Sequence, residues 1–221
     1  MVVGAMINSL SLQIMTDQLS QVLSSLSAEE DRAQRLLEIR PALSALSRKE
    51  VEEGLKEVDL CPLFDCLHSA DHALVETASD ILQKLLGFSD PALVLERYGG
   101  LMLEGLTSQD APDCVQLLIM GQLQRCVGDE DLVDLVVRHN LLAPVISQLE
   151  GELAVAKEVT RWAVSLAESR RGLARLTSDQ TVGQLAGISA KSSVLQMRVL
   201  ELLVKIAQIS EDHLQVGLDM R

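Results

Sequence analysis

The sequence predicts an all-α fold, and three observations support that class. Aromatic residues make up 2% of the 221 residues, so Leu, Val, Ile and Ala must fill an interior that suits packed helices better than strands. The segment from Val155 to Leu166 places its apolar residues at the spacing of one helix face. Apolar positions also recur about every 40 residues along the chain, which indicates a structural repeat.

The repeat is visible when the chain is written in rows of 40 residues that begin at Val51, Pro91 and Asp131. The apolar columns are Leu55, Leu95 and Leu135; Cys61, Leu101 and Leu141; Cys66, Leu106 and Ile146; Val75, Val115 and Val155; Leu86, Cys126 and Leu166. A fourth row, with one extra residue, continues with Leu176, Val182, Leu195, Val199, Leu203 and Ile206. Four repeats are therefore predicted over residues 49–210, at about 51–90, 91–130, 131–170 and 171–210.

Each row predicts a short first helix, a second helix of about ten residues and a longer third helix. Pro62 and Pro144 stand near the starts of second helices, where a missing backbone N–H costs little. One row cannot bury its apolar face alone, so the rows must stack and share a core. The sequence therefore predicts an armadillo/HEAT-like α-solenoid, a right-handed superhelix of roughly 40-residue repeats, and three helices per row favour the armadillo type.

The two ends of the chain depart from these columns. Residues 1–48 predict N-terminal capping helices, one within 5–26 and one from Ala28 to Leu46. Capping boxes open helices at Ser27 with Glu30 and at Ser47 with Glu50. Residues 211–221 begin a fifth row and stop, which leaves the third helix of the fourth row without a neighbour over its apolar side. We therefore expect a truncated fifth repeat, in a fragment or short form of a longer solenoid.

Composition and motifs exclude several functions. The formal net charge of -13 disfavours a nucleic-acid binder, whose surface is normally basic. No apolar run is long enough to cross a bilayer, and we expect a cytoplasmic protein, with the nucleus as a second compartment. The acidic residues from Asp129 to Asp134 open a first helix, so we interpret them as a cap. Since nucleotide-binding and hydrolase motifs are absent, we expect no enzyme, no cofactor, no metal site and no small-molecule substrate.

The stretch "LCPLFDCLHSADH" holds two cysteines and two histidines within thirteen residues, a composition that zinc sites use. The repeat favours a structural role, because Cys61 and Cys66 both occupy apolar columns and Cys126 occupies another. His68 and His72 fall around the turn before a third helix, where polar surface residues are usual. A metal-dependent or redox protein built on this cluster is the alternative.

The segment "VAKEVTRWAVSLA" resembles the third helix of an armadillo repeat, and such helices line the concave face that armadillo proteins use for binding. Peptide-binding members carry Trp and Asn in two columns of that helix. Those columns hold other residues here, namely Ile81, Gly121, Arg161 and Glu201, and Leu85, Arg125, Ser165 and Lys205. We therefore expect no peptide-binding ladder, and Trp162, one position later in the column of Leu82, Gln122 and Leu202, is predicted to lie in the core.

The remaining side chains of the inner face are charged with both signs, as suits a folded partner that carries its own charges. The candidate partner-binding residues are Arg125, Glu158, Arg161, Arg198, Glu201 and Lys205. The alternative is that they form an ordinary solvated face.

Four stretches are similar in sequence to one family: "VDLCPLFDCLHSADHALVETASDILQKLL", "LVLERYGGLMLEGL", "HNLLAPVISQLEGELAVAKEV" and "QMRVLELLVKIAQIS". They resemble the N-terminal half of a HEAT/armadillo family of proteasome assembly chaperones, over residues 48–216. The resemblance implies a non-catalytic chaperone of the 26S proteasome regulatory-particle base, whose partner is the C-terminal domain of an ATPase subunit. A generic armadillo scaffold or adaptor for another folded protein is the alternative.

Overall fold

A computed structural model describes residues 21, 23, 32–45, 58–108 and 111–219. These residues form eleven α-helices, a 3₁₀ turn at Gln148–Glu150 and no strand, so the all-α prediction is confirmed for the described chain. The helices are α1 Arg32–Ala45, α2 Cys61–Cys66, α3 His72–Phe88, α4 Pro91–Thr107, α5 Asp113–Gln124, α6 Glu130–Arg138, α7 Leu142–Ser147, α8 Leu153–Ala167, α9 Arg170–Leu176, α10 Asp179–Ser189 and α11 Ser193–Asp219. None of these described helices is long and apolar enough to span a membrane. The chain divides into two compact units, residues up to Val94 and residues from Leu95 onward.

The first unit contains α1, α2 and α3, with α3 in contact with both of the others. Asp71 begins α3 by accepting hydrogen bonds from the backbone N–H groups of Ala73 and Leu74 at 3.0 and 3.4 Å. An ion pair between Arg40 of α1 and Asp80 of α3 joins residues 40 positions apart. Helix α1 lies within the predicted second capping helix, whereas the predicted helix within 5–26 and both capping boxes lie outside the described residues.

In the second unit, hydrogen bonds join residues about one row apart. Three of them run from a side chain to a carbonyl of the preceding row: Trp162 Nε1 to Leu123 at 3.1 Å, Gln148 Nε2 to Leu106 at 2.7 Å, and Gln184 Nε2 to Ala143 at 2.7 Å. Leu106 lies in the last turn of α4, where carbonyl groups have no partner within the helix. The Leu123 carbonyl, near the end of α5, also accepts from the backbone N–H of Cys126 at 3.0 Å, so the indole N–H is a second donor to it. The stacking of rows therefore adds hydrogen bonds to carbonyls of the preceding row.

Side-chain pairs add further links at the same spacing. Gln124 contacts Ser165 at 3.2 Å, and Lys191 donates to Glu150 at 2.7 Å, over separations of 41 residues in both pairs. The period of forty residues, inferred from apolar columns, thus recurs in the polar contacts of the second unit.

Two helices are longer than the repeat pattern predicts. The row that begins at Pro91 was expected to hold separate first and second helices, but α4 runs through both as one helix of 17 residues. The next row breaks at Asn140, which has a φ of 56° and follows α6, and it has Pro144 near the start of α7. Helix α11 likewise continues past position 211 to Asp219, so no separate first helix of a fifth repeat starts there.

One close approach requires a glycine within α4. A Cβ atom placed on Gly99 would lie 2.7 Å from the imidazole of His139, below any normal contact distance. His139 follows α6, so the absent side chain of Gly99 lets α4 approach the end of the first helix of the next row.

The fourth row follows the predicted columns only in part. Leu176, Val199 and Ile206 are buried, but Val182 and Leu203 are 46% and 38% exposed, so their placement in the core was wrong. Helix α10 buries Thr181, Leu185 and Ile188 instead of Val182, and α11 buries Leu202 instead of Leu203. At these two places the buried position is one residue earlier than predicted, whereas Leu176, Val199 and Ile206 keep the predicted columns.

We expect Trp162→Ala to lower the free energy of unfolding by about 3 to 5 kcal/mol, because it opens a cavity between α8 and α5. The side chain is fully buried, and its indole N–H donates to the carbonyl of Leu123. Arg161→Glu is the matched control, since Arg161 is exposed and a like charge near Glu158 costs only a few tenths of a kcal/mol, about 0.3. Urea denaturation measures both; equal destabilisation would show that the buried face of α8 is misassigned.

A second pair of variants tests the packing around α9. Gly172→Ala places a Cβ against the carbonyl oxygen of Leu166, closer than any normal contact, so we expect the free energy of unfolding to fall by more than about 2 kcal/mol. The added Cβ of Gly183→Ala in α10 meets no atom within 4 Å. Because alanine is the better helix former, this change should raise the free energy of unfolding by about 0.5 to 1 kcal/mol and raise the melting temperature. Thermal denaturation separates the two, and a tolerated Gly172→Ala would contradict the described approach of α9 to α8.

Candidate protein-binding groove

Helices α8 and α11 border a groove of about 460 Å³, and both are third helices of adjacent predicted rows. Four of the six predicted partner-binding residues line it: Arg161, Arg198, Glu201 and Lys205. The other lining residues are Leu153, Ala156, Lys157, Thr160, Val164 and Ser165. The structure therefore brings most of the predicted set together at one concavity.

The remaining two predicted residues lie outside this lining. The guanidinium of Arg125, at the end of α5, donates to the side-chain oxygen of Gln122 at 3.0 Å. Glu158 pairs with Arg161 at 3.0 Å and so positions a groove residue. The assignment of partner binding to all six residues stays a prediction.

Charged contacts hold two of the groove side chains on α11. Lys205 donates to Glu201 at 2.7 Å, and this hydrogen bond together with the positive charge lowers the pKa of the Glu201 carboxyl group. Arg198 donates from one nitrogen to the backbone carbonyls of Leu149 and Gly151 at 2.8 and 2.9 Å. Arg198 therefore links α11 to the end of the 3₁₀ turn. This structural role was not indicated by its predicted place on the inner, partner-binding face.

Lys157 is a groove residue that sequence reasoning missed. It is exposed and makes no ion pair with any residue in the described part of the chain. The spacing in the sequence could have indicated it, since Lys157 precedes the predicted partner-binding residue Arg161 by four positions and so lies on the same helix face. Lys157 belongs to neither the Trp column nor the Asn column, so an inner face defined by those two columns omits it.

The cysteine-rich stretch divides between core and surface. Cys66 is buried and donates to the carbonyl of Pro62 at 3.2 Å, and burial raises the pKa of its thiol. Burial also raises the pKa of Cys126 to about 12, so the core positions predicted for these two residues are confirmed. Cys61, predicted to be core, is only partly buried because it is the first residue of α2; desolvation and the nearby Asp59 carboxylate raise its pKa to about 11.

In the described residues, the cysteines and histidines of this stretch do not come together as the ligands of a metal ion. His68 and His72 are both exposed, one after α2 and the other at the start of α3. Among the described residues there is no group of three or more His, Cys, Asp or Glu side chains that could hold a metal ion.

The acidic cluster is a cap, as predicted, and it also binds the next row. Asp129 accepts a hydrogen bond from the backbone N–H of Asp131 at 2.8 Å and so begins α6. Arg171 of α9 contacts Glu130, Asp131 and Asp134 at 3.2, 3.6 and 2.7 Å. The cluster therefore links first helices of neighbouring rows.

Solved structures with a similar fold are armadillo repeat proteins. A designed armadillo repeat protein in complex with the peptide (KR)4 has a TM-score of 0.60 at 13% identity, covering 88% of this chain and 85% of that chain. A computationally designed armadillo repeat protein for modular peptide recognition has a TM-score of 0.61 at 14% identity, with the same coverage. The predicted all-α armadillo solenoid is thereby confirmed as the fold. No curated protein sequence matches the chain.

The sequence also matches the model of a known family over residues 15–219, and the family is described as "Proteasome non-ATPase 26S subunit". This chain belongs to that family. The proteasome relationship indicated by the quoted stretches is confirmed at the level of the proteasome non-ATPase 26S subunit family. Membership in this family and the solenoid fold together support a protein-binding scaffold.

In this member of the proteasome non-ATPase 26S subunit family, the Trp and Asn columns do not present a ladder. Ile81 and Leu85 are buried, and Ser165 is held by Gln124. Trp162 is fully buried, as predicted.

Helix α11 also carries an exposed apolar face. Val194, Met197, Leu200 and Val204 are between 48% and 67% exposed and fall on one face by their spacing. The expectation that the third helix of the fourth row has an uncovered apolar side is confirmed for these described residues.

We expect chelation by EDTA to leave the melting temperature unchanged, because the cysteines act as core residues. Cys66→Ala should cost about 1 kcal/mol by removing a buried sulfur, whereas Cys61→Ala at the partly exposed helix start should cost less than about 0.5 kcal/mol. Elemental analysis for zinc and thermal denaturation measure these effects. Stoichiometric zinc, or a large effect of EDTA, would instead favour a metal-dependent protein.

Proposed function

We propose that this chain is a non-catalytic assembly chaperone of the 26S proteasome regulatory-particle base, which binds the C-terminal domain of one ATPase subunit. The observation that carries the proposal is the family match over residues 15–219. Among members of that family, the quoted stretches resemble 26S proteasome non-ATPase regulatory subunit 5. An assembly chaperone needs a surface for a folded partner and no reaction centre.

The described surfaces support binding to a folded protein in two ways. The groove presents charged side chains, with Arg161 66% and Glu201 63% exposed. The exposed apolar face of α11, which includes Val194 and Met197, lies on the helix that forms one wall of the groove. Contiguous exposed apolar residues beside polar ones are typical of protein interaction surfaces.

The net charge of the chain and its family indicate which classes of partner it binds and where. A net charge of -13 opposes binding to the phosphates of nucleic acid. The proteasome family supports the cytoplasm, with the nucleus as a second compartment. We propose no membrane partner, small-molecule substrate or cofactor.

A generic armadillo scaffold for a different folded protein is the second candidate, because the fold alone does not select a partner. One similar structure holds the basic peptide (KR)4. The groove here carries Lys157, Arg161 and Lys205, so its charge is unsuited to a basic peptide of that kind.

Calorimetric titration against the isolated C-terminal domain of each base ATPase subunit tests the proposal. We expect binding to one domain, with a Kd on the order of micromolar or tighter, and weaker binding when salt is raised from about 50 to about 300 mM. Binding to none of the domains would contradict the chaperone proposal and favour the scaffold.

Charge-reversal variants locate the contact. Arg161→Glu combined with Lys205→Glu should weaken binding of the selected ATPase domain by about tenfold or more. The matched control, Arg170→Glu combined with Lys84→Glu, makes the same change in net charge at two residues that do not line the groove. Equal weakening by both pairs would show that the protein's overall charge, and not the groove, governs binding.

A further inference from the structure

The groove between α8 and α11 has a charge opposite to that of the whole chain. The protein carries a net charge of -13, yet the lining holds the cations Lys157, Arg161, Arg198 and Lys205 and a single carboxylate, that of Glu201. This carboxylate is already paired with Lys205 at 2.7 Å. A groove whose cations outnumber its carboxylates attracts an anionic ligand even on an acidic protein.

The cations of the groove differ in how far they are neutralised. Lys157 makes no ion pair with any described residue, although it is exposed. Arg198 contacts two backbone carbonyls, which are neutral and leave its charge uncompensated. Arg161 pairs with Glu158, which does not line the groove. On the α8 wall, Lys157 is therefore the cation without a described ion pair, and Arg161 is accessible because its side chain is 66% exposed although it is paired with Glu158.

Apolar side chains flank these cations along the same wall. Leu153 is 54% exposed and precedes Lys157 by one turn, and Val164 follows Arg161 by three residues. Both line the groove together with Ala156. A ligand with apolar side chains next to its negative charges fits this order better than a purely polar anion does.

The spacing along α8 matches an extended peptide. Lys157 and Arg161 are four residues apart, which is about 6 Å along a helix at 1.5 Å per residue. Alternate residues of an extended chain are about 6.6 Å apart and point to the same side. Acidic residues at alternate positions of a peptide can thus meet both cations, and an apolar residue two positions before or after them reaches Leu153 or Val164.

We propose that this groove binds an extended acidic segment of a partner protein, with two carboxylates at alternate positions that pair with Lys157 and Arg161 and an apolar side chain against Leu153 or Val164. The inference rests on the proposed function, since it gives the chemistry of the partner segment at the same surface. Nucleic acid fits less well, because the whole chain repels a long polyanion and the wall is partly apolar.

The probe is the short peptide Leu-Ser-Glu-Ser-Glu-Ser-Leu-amide with rhodamine attached to its N-terminal amine, titrated with the full chain by fluorescence anisotropy. Two otherwise identical peptides carry Gln or Lys in place of Glu, and a short single-stranded DNA oligonucleotide tests general anion binding. We expect the Glu peptide to bind about fivefold or more tightly than the Gln peptide, the Lys peptide to bind weakest, and the oligonucleotide to bind more weakly than the Glu peptide.

Lys157→Glu should weaken binding of the Glu peptide by about fivefold or more and should leave the melting temperature unchanged, since this side chain makes no described ion pair. Lys84→Glu on α3 is the matched control, with the same change in net charge, and should keep the affinity within about twofold.

Four results would overturn the inference: equal binding of the Gln and Glu peptides, equal weakening by the two variants, tighter binding of the oligonucleotide, or absence of peptide binding. The titration with ATPase domains is scored separately, so binding of an ATPase domain without peptide binding would reject the acidic-segment inference and leave the proposed function standing.

Discussion

Within the second unit, the helices of the third and fourth rows are buried against the row before them. Trp162 shows how that constraint works, because its ring fills the interior between α8 and α5 while its indole N–H donates to the carbonyl of Leu123. A buried tryptophan needs a hydrogen-bond acceptor, and this carbonyl oxygen accepts a second bond beside the one from the backbone N–H of Cys126 at 3.0 Å. One side chain thus supplies both apolar contact and a hydrogen bond across two rows.

The same arrangement recurs with polar side chains. Gln148 and Gln184 donate to carbonyls of the row before, and Arg198 donates to two carbonyls that follow α7. These contacts fix the spacing of the helices as well as their contact faces. The groove is a consequence, since α8 and α11 are held side by side with one face of each left accessible.

The proposed binding surface accordingly contains residues that stabilise helix packing and residues that are available to bind a partner. Arg198 stabilises the packing of α11, and its charge contributes to the groove at the same time. Lys157 has no such structural contact among the described residues. Its charge is therefore available to a partner without loss of packing.

The sequence by itself determined the all-α class, the period of forty residues, and the burial of Trp162, Cys66 and Cys126. Apolar periodicity reports these features because it records which face of each helix avoids water. Only the tertiary structure decided that α4 is one helix, that Val182 is exposed, and that Arg198 donates to the carbonyls of Leu149 and Gly151. Those outcomes depend on the distance and pairing between helices of different rows, which no local pattern within one row contains.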